Sequence, residues 1–65
     1  MTLYDILSTI SYMDKVSIHA NSGYVLFDGV KDDLENPINK VVISSHLNTK
    51  VNRVRACNNT IIILL

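Results

Sequence analysis

Residues 60–65 read Thr-Ile-Ile-Ile-Leu-Leu, a strand that is apolar on both of its sides. With Asn58-Asn59 as a two-residue turn, the preceding segment folds back so that Ala56 pairs with Ile61 and Val54 with Ile63 on one face. The other face then holds Arg53, Arg55 and Cys57 opposite Thr60, Ile62 and Leu64. A strand of this kind is normally covered on both faces. Left open, it is a template for aggregation, so the fold has to supply two covers.

The rest of the chain offers one obvious cover. Leu3, Ile6, Leu7 and Ile10 fall at the i, i+3, i+4, i+7 spacing of an apolar helical stripe, which predicts a helix over Thr2 to Met13. Thr2 is placed to cap it, and Asp5 stands where the Glu of a capping box would, facing the free amides of the first turn. Lys15 to Ala20 alternates, with Val16, Ile18 and Ala20 on one side and Lys15, Ser17 and His19 on the other, as a half-buried strand does. Asn21-Ser22-Gly23 supplies a three-residue hairpin loop, and Tyr24 to Asp28 returns. A regular hairpin pairing Ala20 with Tyr24 sets Ile18 against Leu26 and leaves His19, Val25 and Phe27 on the second face.

The middle is less determinate. Gly29 to Asn36 is acidic and turn-rich, with Asp32, Asp33 and Glu35 marking a solvated connection. Asn36-Pro37 suits a helix start, and Ile38, Val41 and Val42 keep helical spacing. The β-branched run Val41-Val42-Ile43 favours a strand instead, so Pro37 to Leu47 stays open between the two.

One helix covers one face of a small sheet and leaves Val25, Phe27, Ile62 and Leu64 without an obvious cover from this chain, Pro37 to Leu47 being the one short segment that could supply it. The expectation is a single α+β domain over residues 1–65: an N-terminal helix on a small antiparallel sheet of two hairpins, completed by homo-oligomerisation through the second face or an edge. Size points the same way. A core of 65 residues is marginal, and one cysteine provides no disulfide framework and no Cys-based zinc site. An apolar fraction of 48% against 18% charged residues excludes a disordered chain. The N-terminus has no basic segment ahead of an apolar stretch, so it does not read as a signal peptide, and a cytoplasmic location without membrane association is expected.

Zero net charge conceals a polarity. Residues 1–37 carry six acids and two bases, and residues 38–65 carry Lys40, Lys50, Arg53 and Arg55 with no acid, giving −4 and +4. Such asymmetry suggests a basic surface for an anionic ligand, contacts between subunits, or mutual neutralisation within one fold. Arg53 and Arg55, at i and i+2, point the same way from a strand, with Lys50 nearby, and two guanidiniums so placed grip phosphates or frame an interface. A near-neutral chain with three Tyr, one Phe and no Trp lacks the overall basicity and stacking aromatics usual in nucleic-acid modules.

No catalytic residue, cofactor or metal site is expected. Among Ser44, Ser45, Cys57, His19 and His46, adjacent strand residues point apart, so only Ser44 shares a side with His46 if that segment is a strand. Cys57 reads as a small packing residue before the turn. Residues 28–35 lack the alternating oxygen ligands of a calcium loop.

Taken in order, Thr2-Leu3-Tyr4-Asp5-Ile6-Leu7, Val16-Ser17-Ile18, the Gly23–Gly29 return and the Val51–Ile63 hairpin resemble small proteins carried by phages and mobile elements of Gram-positive bacteria. The resemblance spans the chain except Pro37 to Asn48 and rests on structural motifs. It implies a stoichiometric inhibitor in counter-defence, of the anti-CRISPR kind, or a sponge for a phosphorylated nucleotide signal, acting as a homo-oligomer. The expected partners are itself and a host protein or protein–nucleic acid complex, with Lys50, Arg53 and Arg55 as anionic contacts and Phe27, Ile62 and Leu64 as the self-association surface. The alternative is a small nucleic-acid-binding module that uses the same three basic residues.

Overall fold

The computed structural model describes residues 1–65. Its N-terminal helix, α1 (Leu3–Leu7), is capped as the sequence predicts: Thr2 Oγ1 accepts from the Asp5 amide at 3.3 Å and Asp5 Oδ2 from the Thr2 amide at 3.0 Å. Those bonds, chiefly the one from the Thr2 backbone and then the one with its side chain, hold the Asp5 carboxyl below its ordinary value of 3.8.

The helix is shorter than the expected Thr2 to Met13. Ser8 and Thr9 hydroxyls donate back to the carbonyls of Tyr4, Asp5 and Ile6, competing with continued helical pairing. The chain then turns through i→i+3 bonds at Thr9 and Ile10. Lys31 Nζ donates to the Leu7 and Ile10 carbonyls, the latter at 2.6 Å, and lies 4.7 Å from the Tyr12 ring centroid. A cation thus gives the Leu7 carbonyl a second donor and bonds the Ile10 carbonyl just beyond the helix. Ile10 stays buried although it is no longer helical.

Strands β1 (Lys15–His19) and β2 (Val25–Val30) form the first hairpin, with Gly23 at φ +89° in its loop and Ala20 donating to the Tyr24 carbonyl at 2.7 Å. A 3₁₀ turn (Lys31–Glu35) follows, then α2 (Pro37–Ser44), where Asn36 Oδ1 accepts from the Ile38 amide at 3.1 Å and Pro37 opens the helix. The cap and the proline settle the middle segment as helix over its β-branched run. Strands β3 (Arg53–Cys57) and β4 (Thr60–Leu64) close the chain in the predicted register, Ala56 with Ile61 and Val54 with Ile63. Asn58 and Asn59 have φ of 50° and 62°, the left-handed pair that a two-residue hairpin turn requires.

Two expectations are corrected. The sheet is mixed, not antiparallel: its order is β2-β1-β4-β3, and β1 and β4 run parallel, Ile18 beside Ile63. One strand from each hairpin, β1 and β4, takes the centre and joins the two hairpins there. Second, the β1–β2 register shifts by one residue between Ile18 and His19, so Ile18 pairs with Phe27 and His19 with Val25. That bulge turns Phe27 into the core and removes it from the second face.

The core lies on one side of the sheet. Leu3, Leu7 and Ile10 from the N-terminal segment and Ile43 from α2 meet Val16, Ile18, Phe27, Ile63 and Leu65 in one cluster. Backbone bonds from Leu3 to Thr49, from Tyr4 to Leu47 and from Val51 to Met1 tie α1 to the approach to β3. No helix is long and apolar enough to cross a membrane.

Candidate binding surface

Cross-strand partners share a face, so the pairing registers place every side chain of the second face. Three rows cross it from β2 to β3. One runs Val25, His19, Leu64, Arg53; the next Asp28, Ser17, Ile62, Arg55; the third Val30, Lys15, Thr60, Cys57. Neither α1 nor α2 lies over these rows, and none of their residues joins the core cluster or packs against it. Ile62 and Leu64 are half-buried by their sheet neighbours alone. The second face therefore sets two aliphatic residues of β4, Ile62 and Leu64, beside the polar Lys15, Ser17 and His19 of β1, with an acid on one flank and two arginines on the other.

Arg53 and Arg55 stand together on β3 as their i, i+2 spacing predicts, and both are exposed. The single ion pair of the fold joins Lys40 to Glu35 at 3.6 Å on the surface, so neither arginine has a carboxylate partner. The one contact between the −4 and +4 halves is thus Lys40 with Glu35, and Arg53 and Arg55 take no part in it. Asp28 shares a row with Arg55 but sits three strands away, roughly 14 Å at about 4.8 Å per strand. Lys50 does not join the arginines on β3; it forms an isolated bridge with Thr2.

Ser17 and His19 are the pair that sequence reasoning passed over. Ser17 Oγ and His19 Nε2 are 2.7 Å apart on β1, and Ser17 is 8% exposed beneath its neighbours. The signal was present in the i, i+2 rule for strands. A hydroxyl beside an imidazole is the first element of a nucleophile–base arrangement. Neither residue has a further side-chain hydrogen bond, so no third group orients the ring.

The other candidates are dispersed. Ser44 and Ser45 lie at the end of α2 and donate to the Val41 and Val42 carbonyls within it, so the strand geometry that would pair Ser44 with His46 does not arise. His46 follows the helix, its amide bonded to the Ile43 carbonyl. Cys57 is exposed at the edge of the sheet, not packed as expected, because no element reaches over β3. No group of three His, Cys, Asp or Glu side chains is placed to hold a metal ion.

A second feature lies on the helical side. A cleft of about 360 Å³ opens between α1, the 3₁₀ turn and α2, with Tyr4 and Tyr12 at its lip and Leu7, Leu34, Ile43 and Leu47 among its walls. Ile38 and Val41 of α2 are 76% and 71% exposed. Comparison of the chain with protein-family models, curated proteins and solved structures finds no match.

Proposed function

We propose that this protein is a non-enzymatic binding protein that works as a homo-oligomer and blocks a host factor by stoichiometric contact, in the counter-defence role that its resemblance to phage and mobile-element proteins implies. One observation carries this reading: the second sheet face, with Ile62 and Leu64 at its centre and two unpaired arginines on its flank, has no cover from its own chain. An uncovered face with aliphatic residues near its middle and arginines at its rim has features of an interface before assembly. Self-association takes the aliphatic centre. Lys50 and the β3 edge supply the anionic contact to the host factor.

Light scattering at micromolar concentration, followed by capture from host lysate, tests the reading. The expected result is an oligomer that retains one host protein or protein–nucleic acid complex and loses it in the Arg53→Ala/Arg55→Ala variant. A monomer with no captured factor overturns it.

The absence of carboxylate partners for both arginines also favours a nucleic-acid module or a sponge for a phosphorylated nucleotide. Binding of single- or double-stranded DNA or RNA that weakens steeply with salt would select the first. A rise in melting temperature with a nucleotide would select the second.

A further inference from the structure

The three rows across the open face carry more than an invitation to self-associate; they specify how a second copy sits. Two small sheets packed face to face keep their strands roughly aligned, about 10 Å apart. A closed pair of identical chains needs a twofold axis between the sheets. Two aligned arrangements follow, one with the axis across the strands and one with it along them.

An axis across the strands lays β3 over the partner's β3 and β2 over the partner's β2. Arg53 and Arg55 of one copy then meet the arginines of the other, and Asp28 meets Asp28, with like charges opposed on both flanks. An axis along the strands, running between β1 and β4, lays β2 over the partner's β3 and β1 over the partner's β4. Rows are preserved by that operation. Asp28 therefore meets the partner's Arg55 on both flanks, and Ser17 and His19 meet the partner's Ile62 and Leu64.

We infer that the protein is a twofold face-to-face dimer whose axis runs along the strands between β1 and β4, closed at each flank by Asp28 with Arg55 of the partner subunit. This inference rests on the self-association proposed above and names the geometry of that same surface. Size complementarity supports the same axis, because each Ile62 lies over the low ground left by the partner's Ser17, the smallest side chain of the central row. The acid and the arginine of one row, too far apart to pair within a chain, are brought together only between chains. The charge polarity of the sequence thereby becomes a register device. Arg53 faces the partner's Val25 at the rim and, with Lys50, stays available to an anionic partner.

The face measures about 19 by 17 Å, from four strands of five or six residues, so two copies press together roughly 650 Å² of flat sheet face in total. That is at the small end for specific association, so the two symmetric ion pairs weigh heavily in affinity.

Charge exchange tests it, read by sedimentation across a concentration series, with circular dichroism to confirm that each variant is folded. Asp28→Arg alone and Arg55→Asp alone each place like charges at both flanks and are expected to weaken the dimer about 100-fold. The double variant restores opposite charges and recovers wild-type affinity to within about threefold. An equimolar mixture of the two single variants forms a heterodimer, since one chain then carries both arginines and the other both aspartates. If wild type dimerises but the single variants do so equally well, the geometry is overturned while self-association stands. If wild type remains monomeric at about 100 μM, both fall.

Discussion

On one face of the sheet Val16, Ile18 and Ile63 are wholly sealed from solvent by the segments around α1 and α2; on the other, one residue along the same strands, Ser17, Ile62 and Leu64 are screened only by their neighbours within the sheet. The strands are identical and the alternation strict, so the difference comes from which side the helices were able to reach. They cover β1, β2 and β4 well and β3 poorly: Val54 points to the core side and is still 44% exposed. A domain this small covers one side of its sheet with its own chain, and the second side becomes a surface for others.

Substitution at matched positions is the most direct way to break this comparison. Ile18→Ala empties a fully buried site and is expected to lower the unfolding free energy by about 2–5 kcal/mol. Ile62→Ala, on the open side of the adjacent strand, should cost about 1 kcal/mol or less in dilute protein. Equal losses in urea titrations would mean that a single chain seals both faces, and the distinction would vanish.

The helical cover depends on Lys31, whose ammonium holds the Leu7 and Ile10 carbonyls across 24 and 21 residues. Lys31→Met keeps the stem and removes the donor. A loss of about 1.5–3 kcal/mol is expected, as for hydrogen bonds from charged groups, and a loss below about 0.5 kcal/mol would show that the Lys31 bonds do not hold the helical cover.

The smallest effect concerns the start of that cover. Thr2→Ala removes the cap acceptor and should cost about 1 kcal/mol at neutral pH. Because the native carboxyl of Asp5 titrates below its ordinary value, the stabilisation it brings is complete above that value and disappears as pH falls through the native one. Asp5→Asn should therefore lose stability relative to wild type at neutral pH and converge with it in acid. Parallel pH curves for the two proteins would refute the capping role.

Local chemistry explains which elements were legible. The Thr2–Asp5 cap, the Asn36-Pro37 start, Gly23 in its loop and the Asn58-Asn59 turn each depend on residues within about four positions, and each appears where the sequence puts it. The helix length was misjudged because the apolar stripe continues to Ile10, while the Ser8 and Thr9 hydroxyls end the helix sooner. Phe27 was misplaced because counting back from the hairpin loop assumes a regular ladder. One extra residue on β2, Leu26, reverses the face of the strand residues after it. The Arg53–Arg55 pairing followed from strand parity, as the unnoticed Ser17–His19 contact does; the position of Lys50, at a bridge to Thr2, did not.

The sequence by itself determined the caps, the turns, the second hairpin's register and an apolar content too large for one helix and one sheet face. Only the tertiary structure decided that β1 and β4 lie side by side in parallel, that the bulge sends Phe27 inward, and that both helices gather on one side. The physical reason is range. Caps and turns are fixed by bonds between near neighbours, whereas strand order and the choice of face depend on the burial of side chains more than 40 positions apart, such as Ile18 and Ile63.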